Sequence, residues 1–381
     1  MPQFVFKLSL LLPLLAGMAW VNWSIDPAIL MPEHRDDPMR HPYENVIARD
    51  LLAGHPHRLK SMQLELVVDE LVFRARPQID TLVFGTSIAK PIHAGLFGGP
   101  NFFNASVTGG RIEEMIMAYQ SALDCGLKPR HVLIEVDSRS LSPRDGVPDS
   151  KLFERGLRRL NLPVEIEHES VLGRLWRAIV PGEDGSGANA RNSFYPYDEL
   201  LSPRYFQFTI AYLAKRWLAR SDKPRELVSQ FGESNESLMY PDGSLEWWDN
   251  ALAQTPESIQ QNFAQTDAAA LAGLHDRPVT DKTRMYEVFV GDLVRSGVEV
   301  EFLLLPPNPW IFEQARQAAA RDGKQLPSVE TEGTICSLAA KYKLRVRGSL
   351  DPRHLGVTEA DYIDDVHLRR EAMERILRAG R

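Results

Sequence analysis

The stretch TLVFGTSIAKPI, residues 81–92, is a short apolar run that stops at Gly85-Thr86-Ser87. Its first four residues are apolar or β-branched, which is typical of a strand buried on both faces of a parallel sheet. A strand that ends in glycine and two small polar residues can lead into a routine turn, or it can present a serine nucleophile at the edge of the sheet. The rest of the sequence has to decide between these two interpretations.

The segments around this stretch alternate between helical and strand-like patterns. Helices are predicted at 61–75, 109–126, 281–296, 310–322, 329–342 and 368–380. Strands are predicted at 80–85, 101–106, 131–137, 298–307 and 344–348. This alternation indicates an α/β fold, a three-layer arrangement in which helices cover both faces of a parallel sheet of about five strands.

Residues 138–280 interrupt the alternation. They contain few strand signals, whereas 205–220 has a helical period and 181–198 is rich in loop-forming residues. We interpret 138–280 as a mostly helical insertion in a domain that spans 61–381. The tryptophans of YPDGSLEWWD, 240–249, are predicted to form an exposed pair that either stacks on sugar rings or packs within the insertion.

The N-terminal stretch FVFKLSLLLPLLAGMAWVNW, residues 4–23, is apolar except for one lysine, one serine and one asparagine. A helix of this length spans roughly 30 Å, about the thickness of a bilayer core. Residues 1–23 are therefore predicted to be a transmembrane anchor, with a cleaved signal peptide as the alternative. Residues 24–60 are interpreted as a juxtamembrane linker. The predicted location is the bacterial inner membrane, with the main domain in the periplasm.

Charge and cysteine content exclude several classes of function. The net charge of −7 argues against a nucleic-acid partner, because phosphate-binding surfaces are basic. Cys125 and Cys336 lie far apart in the sequence and form no CxxC pair. They are predicted to be isolated buried thiols, with a disulfide between them in an oxidising compartment as the alternative. Because no metal-ligand spacing and no glycine-rich phosphate loop occurs, we predict neither a metal nor a cofactor.

Four segments with small or polar residues can meet in such a fold. Three of them follow predicted strands: Gly85-Thr86-Ser87, NASVTGG at 104–110 and PPN at 306–308. The carboxyl ends of parallel strands share one edge of the sheet, where ligands bind. The fourth, DYIDDVHLRR at 361–370, places Asp364 three residues before His367, so that the carboxylate can hold one ring nitrogen while the other takes a proton from Ser87. Asp365 is the alternative carboxylate.

Together these segments resemble the SGNH (GDSL-type) hydrolase superfamily, in which similar blocks occur in the same order. The apolar N-terminal stretch and the following VNWSIDP, 21–27, resemble a membrane-anchored subgroup that serves cell-envelope polysaccharide O-acetylation. The alginate acetylation proteins are of this kind, and more distantly the proteins of D-alanine transfer to teichoic acids. The resemblance covers 80–137 and 298–381 and leaves the insertion unexplained.

The resemblance implies a strand order like that of flavodoxin and a role for each matched residue. Ser87 matches the nucleophile, and Asp364 and His367 match the last block. The backbone N–H of Gly109 and the side-chain amide of Asn308 match the oxyanion hole, with Gly110 as the alternative glycine. Thr86 stands where the family has an aspartate, and Asn308 lies in PPNPW rather than in the usual Gly-x-Asn-Asp.

The resemblance further implies an acyl-ester enzyme that transfers an O-acetyl group to an envelope or secreted polysaccharide. Its partners would be the membrane, through residues 4–23, the polysaccharide acceptor and a membrane-bound O-acyltransferase that supplies the acyl group. Two alternatives stay open. The protein could be a non-catalytic accessory of an acyltransferase system, or it could be a periplasmic carbohydrate esterase.

Overall fold

The computed structural model describes residues 2–25, 42–59, 65–97, 99, 101–142, 151–163, 206–207, 209–210, 237–247, 249–263 and 280–379, with the side chains of helix α1 described from Pro13 onward. The backbone divides into two compact units. One unit comprises Met1–Pro42 and Glu165–Gln230 and contains helix α1 (Pro2–Ile25). The other comprises Tyr43–Val164 and Phe231–Arg381 and contains the sheet and the candidate site.

The second unit contains the strands β1 (His57–Leu59), β2 (Thr81–Phe84), β3 (Phe102–Asn104), β4 (His131–Val136), β5 (Ser237–Met239), β6 (Leu245–Glu246), β7 (Glu299–Leu304) and β8 (Arg345–Gly348). Five of them form a parallel sheet in the order β3-β2-β4-β7-β8. Counted along the chain within this sheet, the order is 2-1-3-4-5, as in flavodoxin. The predicted α/β fold and its five parallel strands are therefore confirmed.

The remaining helices are α2 (Pro42–Leu52), α3 (Glu65–Ala75), α4 (Ala94–Phe97), α5 (Ile112–Asp124), α6 (Lys151–Arg159), α7 (Asp249–Leu252), α8 (Pro256–Phe263), α9 (Thr280–Arg295), α10 (Pro309–Arg321), α11 (Pro327–Tyr342) and α12 (Arg370–Ala379). The helices and strands predicted around the sheet are each present, with ends that shift by a few residues. Such shifts are expected, because the pattern of apolar residues continues past the last hydrogen bond of an element.

Successive residues of β2 bury their side chains on opposite faces of the sheet. Val83 belongs to an apolar cluster that includes Met373 of α12. Phe84 instead contacts Tyr119 of α5 and Phe289 of α9, with ring centroids 6.2 and 6.4 Å away. Because strand side chains alternate in direction, this contrast defines the two helical layers that enclose the sheet.

The interpretation of residues 24–60 as a linker is wrong for the part that the structure describes. Residues 42–59 contain helix α2 and strand β1, and β1 pairs antiparallel with β5, which in turn pairs with β6. Residues 26–41 lie outside the described residues. A three-residue strand whose partner is about 180 residues away leaves no periodic pattern in the sequence, so local patterning could not reveal it.

Much of the chain between β4 and β7 belongs to the same compact unit as the sheet and does not form an independent insertion. Residues up to Val164 and from Phe231 onward belong to the same compact unit as the sheet. A Cβ at Gly156 of α6 would lie 2.5 Å from Ile116 Cγ2, so α6 packs closely on α5. The predicted loop at 181–198 and nearly all of the predicted helix at 205–220 lie outside the described residues.

Helix α1 covers the apolar N-terminal stretch, as predicted. Over the described part of the chain, however, no helix combines the length and the apolarity needed to cross a membrane. The prediction of a transmembrane helix at residues 4–23 is therefore not supported.

The two cysteines are free thiols. Cys125 is half-buried, but Cys336 is exposed on α11, so the prediction of two buried thiols is wrong for Cys336. Burial raises the pKa of both thiols, and a nearby glutamate adds to the effect in each case. A raised pKa keeps a thiol protonated and a poor nucleophile.

Gly348 ends β8 in the left-handed region, with a φ of 78°, and a Cβ there would overlap the carbonyl oxygen of Leu304 in β7. Gly348→Ala is expected to lower the free energy of unfolding by about 3 kcal/mol, from left-handed strain and overpacking together. Gly297→Ala is the matched control, because its φ is 79° and no atom lies within 4 Å of the added Cβ. Urea unfolding measures both; equal losses would show that the contact with β7 is unimportant.

Candidate active site

The turn after β2 is shaped by the absence of a side chain at Gly85. A Cβ at this position would lie 2.6 Å from Glu135 Oε2 and 2.9 Å from the Cβ of Ala89. Any larger residue would therefore push β2 away from the neighbouring strand β4, which carries Glu135. The glycine that ends the apolar run is required by this close packing.

Thr86 fixes the direction of the turn through two hydrogen bonds. Its backbone N–H donates to Glu135 Oε2 at 2.8 Å, and its hydroxyl accepts from the N–H of Ile88 at 3.2 Å. Thr86 thereby caps a single 3₁₀ turn over Ser87–Ala89. Thr86 therefore acts as a capping residue in this turn. Ser87 is half-buried between the buried residues Thr86 and Ile88.

Ser87, His367 and Asp364 form a continuous chain of hydrogen bonds. Ser87 Oγ lies 2.8 Å from His367 Nε2, and His367 Nδ1 lies 2.6 Å from Asp364 Oδ2. Because a carboxylate only accepts, these partners assign the tautomer: Nδ1–H donates to Asp364 and Nε2 accepts from the serine hydroxyl. The structure therefore brings together the three residues that the sequence proposed as a triad.

The carboxylate of Asp364 is held ionised by its local hydrogen bonds. Burial raises its pKa, but the His367 ring and the backbone N–H groups of Val366 and His367 outweigh burial, so that the pKa is lowered. The two backbone N–H groups donate to Oδ1 at 2.9 and 2.7 Å. At the alternative carboxylate, burial and the charge of Asp364 raise the pKa of Asp365. The hydrogen bond to the ring assigns the triad to Asp364.

Asn308 links two loops of the site through its backbone and its side chain. Its Nδ2 donates to the backbone oxygen of Asp364 at 3.2 Å, and its Oδ1 accepts from the N–H of Trp310 at 2.9 Å as the cap of α10. Its own N–H donates to the backbone oxygen of Asp365 at 2.9 Å. The buried amide thus joins the loop after β7 to the loop that carries the triad. Its role as an oxyanion donor stays a prediction, because Nδ2 carries a second N–H beside the one used in this contact.

The structure distinguishes between the two glycines proposed for the oxyanion hole. The Gly110 N–H donates to the Val107 carbonyl at 2.7 Å within its own turn. Gly109 is exposed with a φ of 64°, and its N–H has no backbone acceptor among the described residues. The Val107 N–H donates to the Gly85 carbonyl at 3.0 Å, which places this turn against the turn that carries Ser87. Gly109 is thus the better candidate donor.

Asn104, the last residue of β3, is a residue of the site that the sequence did not single out. Its buried Nδ2 donates to the carbonyls of Ala89 and Ile92 at 2.8 and 2.9 Å, and its Oδ1 accepts from the Ser106 N–H at 3.0 Å. One side chain therefore holds the segment after Ser87. An asparagine at the end of an apolar strand is the signal that could have identified it.

The predicted exposed aromatic pair is wrong for Trp247. This side chain is only 7 % exposed, and its ring centroid lies 4.5 Å from that of His367. A buried indole against the imidazole limits the movement of the ring and keeps water from it, whereas a platform for sugar stacking would have to be exposed. The side chain of Trp248 lies outside the described residues.

The β5–β6 hairpin leads into Trp247, and its turn region is fastened to the site by two backbone hydrogen bonds. The Leu245 N–H donates to the Lys90 carbonyl and the Asn104 N–H donates to the Asp242 carbonyl, each at 2.8 Å. Beyond the hairpin, Arg369 donates to the carbonyls of Leu252 and Gln254, both at 2.7 Å. Part of the predicted insertion therefore forms a wall of the site.

The functional groups of the site are those of Ser87, His367 and Asp364. Within the ranges that the structure describes, no group of three or more His, Cys, Asp or Glu side chains is arranged to hold a metal ion. The arrangement present is a hydroxyl, an imidazole and a carboxylate in line, which is the arrangement that activates a serine for attack on a carbonyl.

No protein-family model matches the chain. No curated protein sequence matches it significantly either.

Burial, aided by the charge of Asp137, raises the pKa of Glu135 from 4.5 to about 8. The folded state thus binds this proton more tightly than the unfolded state, and this group's contribution makes stability fall as the pH rises from 4.5 through 8. Glu135→Gln keeps an acceptor for the Thr86 N–H without titrating. We expect its free energy of unfolding, relative to the wild type, to increase between pH 5 and pH 9.

Urea unfolding at the two pH values tests this expectation. Glu299→Gln, at an exposed position of the neighbouring strand β7, serves as the control and should give the same difference from the wild type at both pH values. If Glu135→Gln also gives a constant difference, the buried carboxyl does not titrate in this range.

Proposed function

We propose that the chain is a serine acyl-ester enzyme whose nucleophile is Ser87. The observation that carries the proposal is the hydrogen-bonded line Ser87–His367–Asp364, with distances of 2.8 and 2.6 Å. Side chains 280 residues apart in sequence meet in the order that nucleophilic catalysis requires. The His367 side chain is 17 % exposed, so the base is shielded but not sealed off.

The geometry supports the following acylation step. His367 Nε2 removes the hydroxyl proton as Ser87 Oγ attacks the carbonyl carbon of an ester, and Asp364 stabilises the resulting imidazolium. The oxyanion is stabilised by the backbone N–H groups of Ser87 and Gly109. The tetrahedral intermediate then breaks its bond to the leaving oxygen, which takes the proton from Nε2. The product is an acyl ester of Ser87 and a free alcohol.

The second half of the reaction repeats these steps with a new hydroxyl. Nε2 removes a proton from the acceptor as the acceptor oxygen attacks the acyl carbonyl. The second tetrahedral intermediate then breaks its bond to Ser87 Oγ, which takes the proton from Nε2, so that the acylated acceptor leaves and the free serine is restored. When the acceptor is a sugar hydroxyl the reaction is transfer, and when it is water the reaction is hydrolysis. We propose O-acetyl transfer to an envelope or secreted polysaccharide, on the basis of the family resemblance, with carbohydrate esterase activity as the alternative.

The same resemblance supports proposals about location and partner. An acyl group that is used outside the bacterial cytoplasm has to cross the inner membrane in a bound form. We therefore propose that a membrane-bound O-acyltransferase supplies the acyl group to Ser87 and that the main domain works in the periplasm.

Ser87→Ala is expected to abolish the burst of p-nitrophenol from p-nitrophenyl acetate and to reduce turnover by a factor on the order of 10⁴ or more, because no acyl-enzyme can form. Ser87 is half-buried, and the cap of its turn is Thr86, so the free energy of unfolding in urea should be nearly unchanged. Intact-protein mass spectrometry should show one added acetyl group on the wild type and none on the variant.

The outcomes of this experiment separate the candidate functions. A burst in the wild type followed by acetylation of an added oligosaccharide indicates a transferase, and release of acetate alone indicates an esterase. Failure of the wild type to acylate would contradict the enzymatic proposal and favour the non-catalytic accessory.

Substitutions of the adjacent residues Asp364 and Asp365 test which carboxylate supports His367 as the base. Asp364→Asn should reduce kcat by about 10⁴-fold, because an amide can hold the imidazole in the wrong tautomer. Asp365→Asn should change kcat by less than about tenfold, since it is Asp364 that contacts the ring. Steady-state kinetics with p-nitrophenyl acetate decides, and the opposite order of effects would move the assignment to Asp365.

A further inference from the structure

The exposed turn that carries Gly109 is held by a buried carboxylate. Thr108, the residue before Gly109, is itself exposed. Both of its donors nevertheless bind Glu65: the backbone N–H contacts Oε2 at 2.6 Å and the hydroxyl contacts Oε1 at 3.0 Å. Two hydrogen bonds from one residue to one carboxylate fix the orientation of the turn as well as its distance.

An ion pair connects Glu65 to the turn that carries Ser87. Lys90 Nζ lies 3.3 Å from Glu65 Oε1, and the two side chains are only 1 % and 4 % exposed. Lys90 follows Ser87 by three residues, and its backbone N–H donates to the Ser87 carbonyl at 3.2 Å. A continuous path of contacts thus runs from Ser87 through Lys90 and Glu65 to Thr108 and Gly109.

A third ionisable side chain lies beside the pair. Asp69, one turn further along α3 from Glu65, is fully buried beside Lys90, and its carboxyl oxygens have no hydrogen-bond partner among the described residues. Burial raises the pKa of Asp69, although the charge of Lys90 lowers it. A buried ion pair is weak evidence for a purely stabilising role, because apolar residues of similar volume often stabilise a core as well.

We propose that Glu65 and Lys90 are positioning residues of the oxyanion site. The buried pair sets the distance between Ser87, which attacks the carbonyl, and Gly109, whose N–H stabilises the charge that develops on the carbonyl oxygen. This inference rests on the proposed function. Neither residue contacts the substrate; each acts through the turn that it holds.

The test compares an oxoester with the matching thionoester, in which sulfur replaces the carbonyl oxygen. Sulfur is larger and a weaker acceptor, so the thionoester gains little from the oxyanion donors. The ratio of kcat/KM for the two substrates therefore reports the oxyanion site itself. A variant that only lowers the fraction of folded enzyme reduces both values equally and leaves the ratio unchanged.

Thr108→Val removes the hydroxyl bond at an exposed position, where folding is not at risk, and Glu65→Gln removes the charge that pairs with Lys90. Both should reduce the oxoester-to-thionoester ratio at least tenfold, toward the 10²–10³-fold loss typical of a missing oxyanion donor. Thr108→Ser should restore the ratio. Glu70→Gln, on the same helix α3 but paired with Arg74 on the surface, is the control and should leave the ratio unchanged.

Each outcome bears on a different claim. If Thr108→Val and Glu65→Gln keep the wild-type ratio while Ser87→Ala is inactive, the positioning role is wrong and the proposed function stands. If the wild type shows no Ser87-dependent turnover of either ester, the proposed function falls, and this inference falls with it.

Discussion

The hydrogen bond from the Thr86 N–H to the buried carboxyl of Glu135 is the contact on which the site depends. It joins the end of β2 to the neighbouring strand β4 at the point where the chain must leave the sheet. Only a glycine at position 85 allows this approach. A buried N–H without an acceptor costs about 1–3 kcal/mol, so the carboxyl also determines which way the turn leaves the strand. Ser87 reaches the edge of the sheet because its predecessors are fixed in this way.

The loop that carries Asp364 and His367 is held in place by residues outside the triad. Asn308 binds the backbone of this loop from the segment after β7, and the Tyr362 hydroxyl donates to the Pro306 carbonyl at 3.1 Å. Helix α12, which follows the loop, contributes to the same apolar cluster as Ile88, the residue after Ser87. Packing of one cluster therefore positions both Ser87 and His367, which makes the hydrogen bond between them a consequence of core formation.

The sequence predicted the sheet and the triad because both leave local patterns. Apolar runs marked the strands, and the Asp-x-x-His spacing marked a carboxylate that contacts a ring nitrogen from the same loop. The predictions from sequence failed where the position of a residue depends on partners that are distant in the chain. The amide of Asn308 binds backbone atoms 56 residues away, which spacing cannot indicate. Trp247 looked exposed because its covering partner, His367, belongs to another part of the chain. The role of β1 was missed for the same reason.

The separation of Ser87 from His367 by 280 residues has a consequence for biosynthesis. On the ribosome, the serine leaves the exit tunnel long before its base has been translated. Domains assemble progressively during synthesis, and contacts between distant residues form late. A ribosome-bound intermediate that already contains β2 and β4 thus carries an ordinary, unreactive hydroxyl. Under the proposed function, reactivity toward esters would begin only when the loop before α12 docks, which would protect the nascent protein from premature acylation.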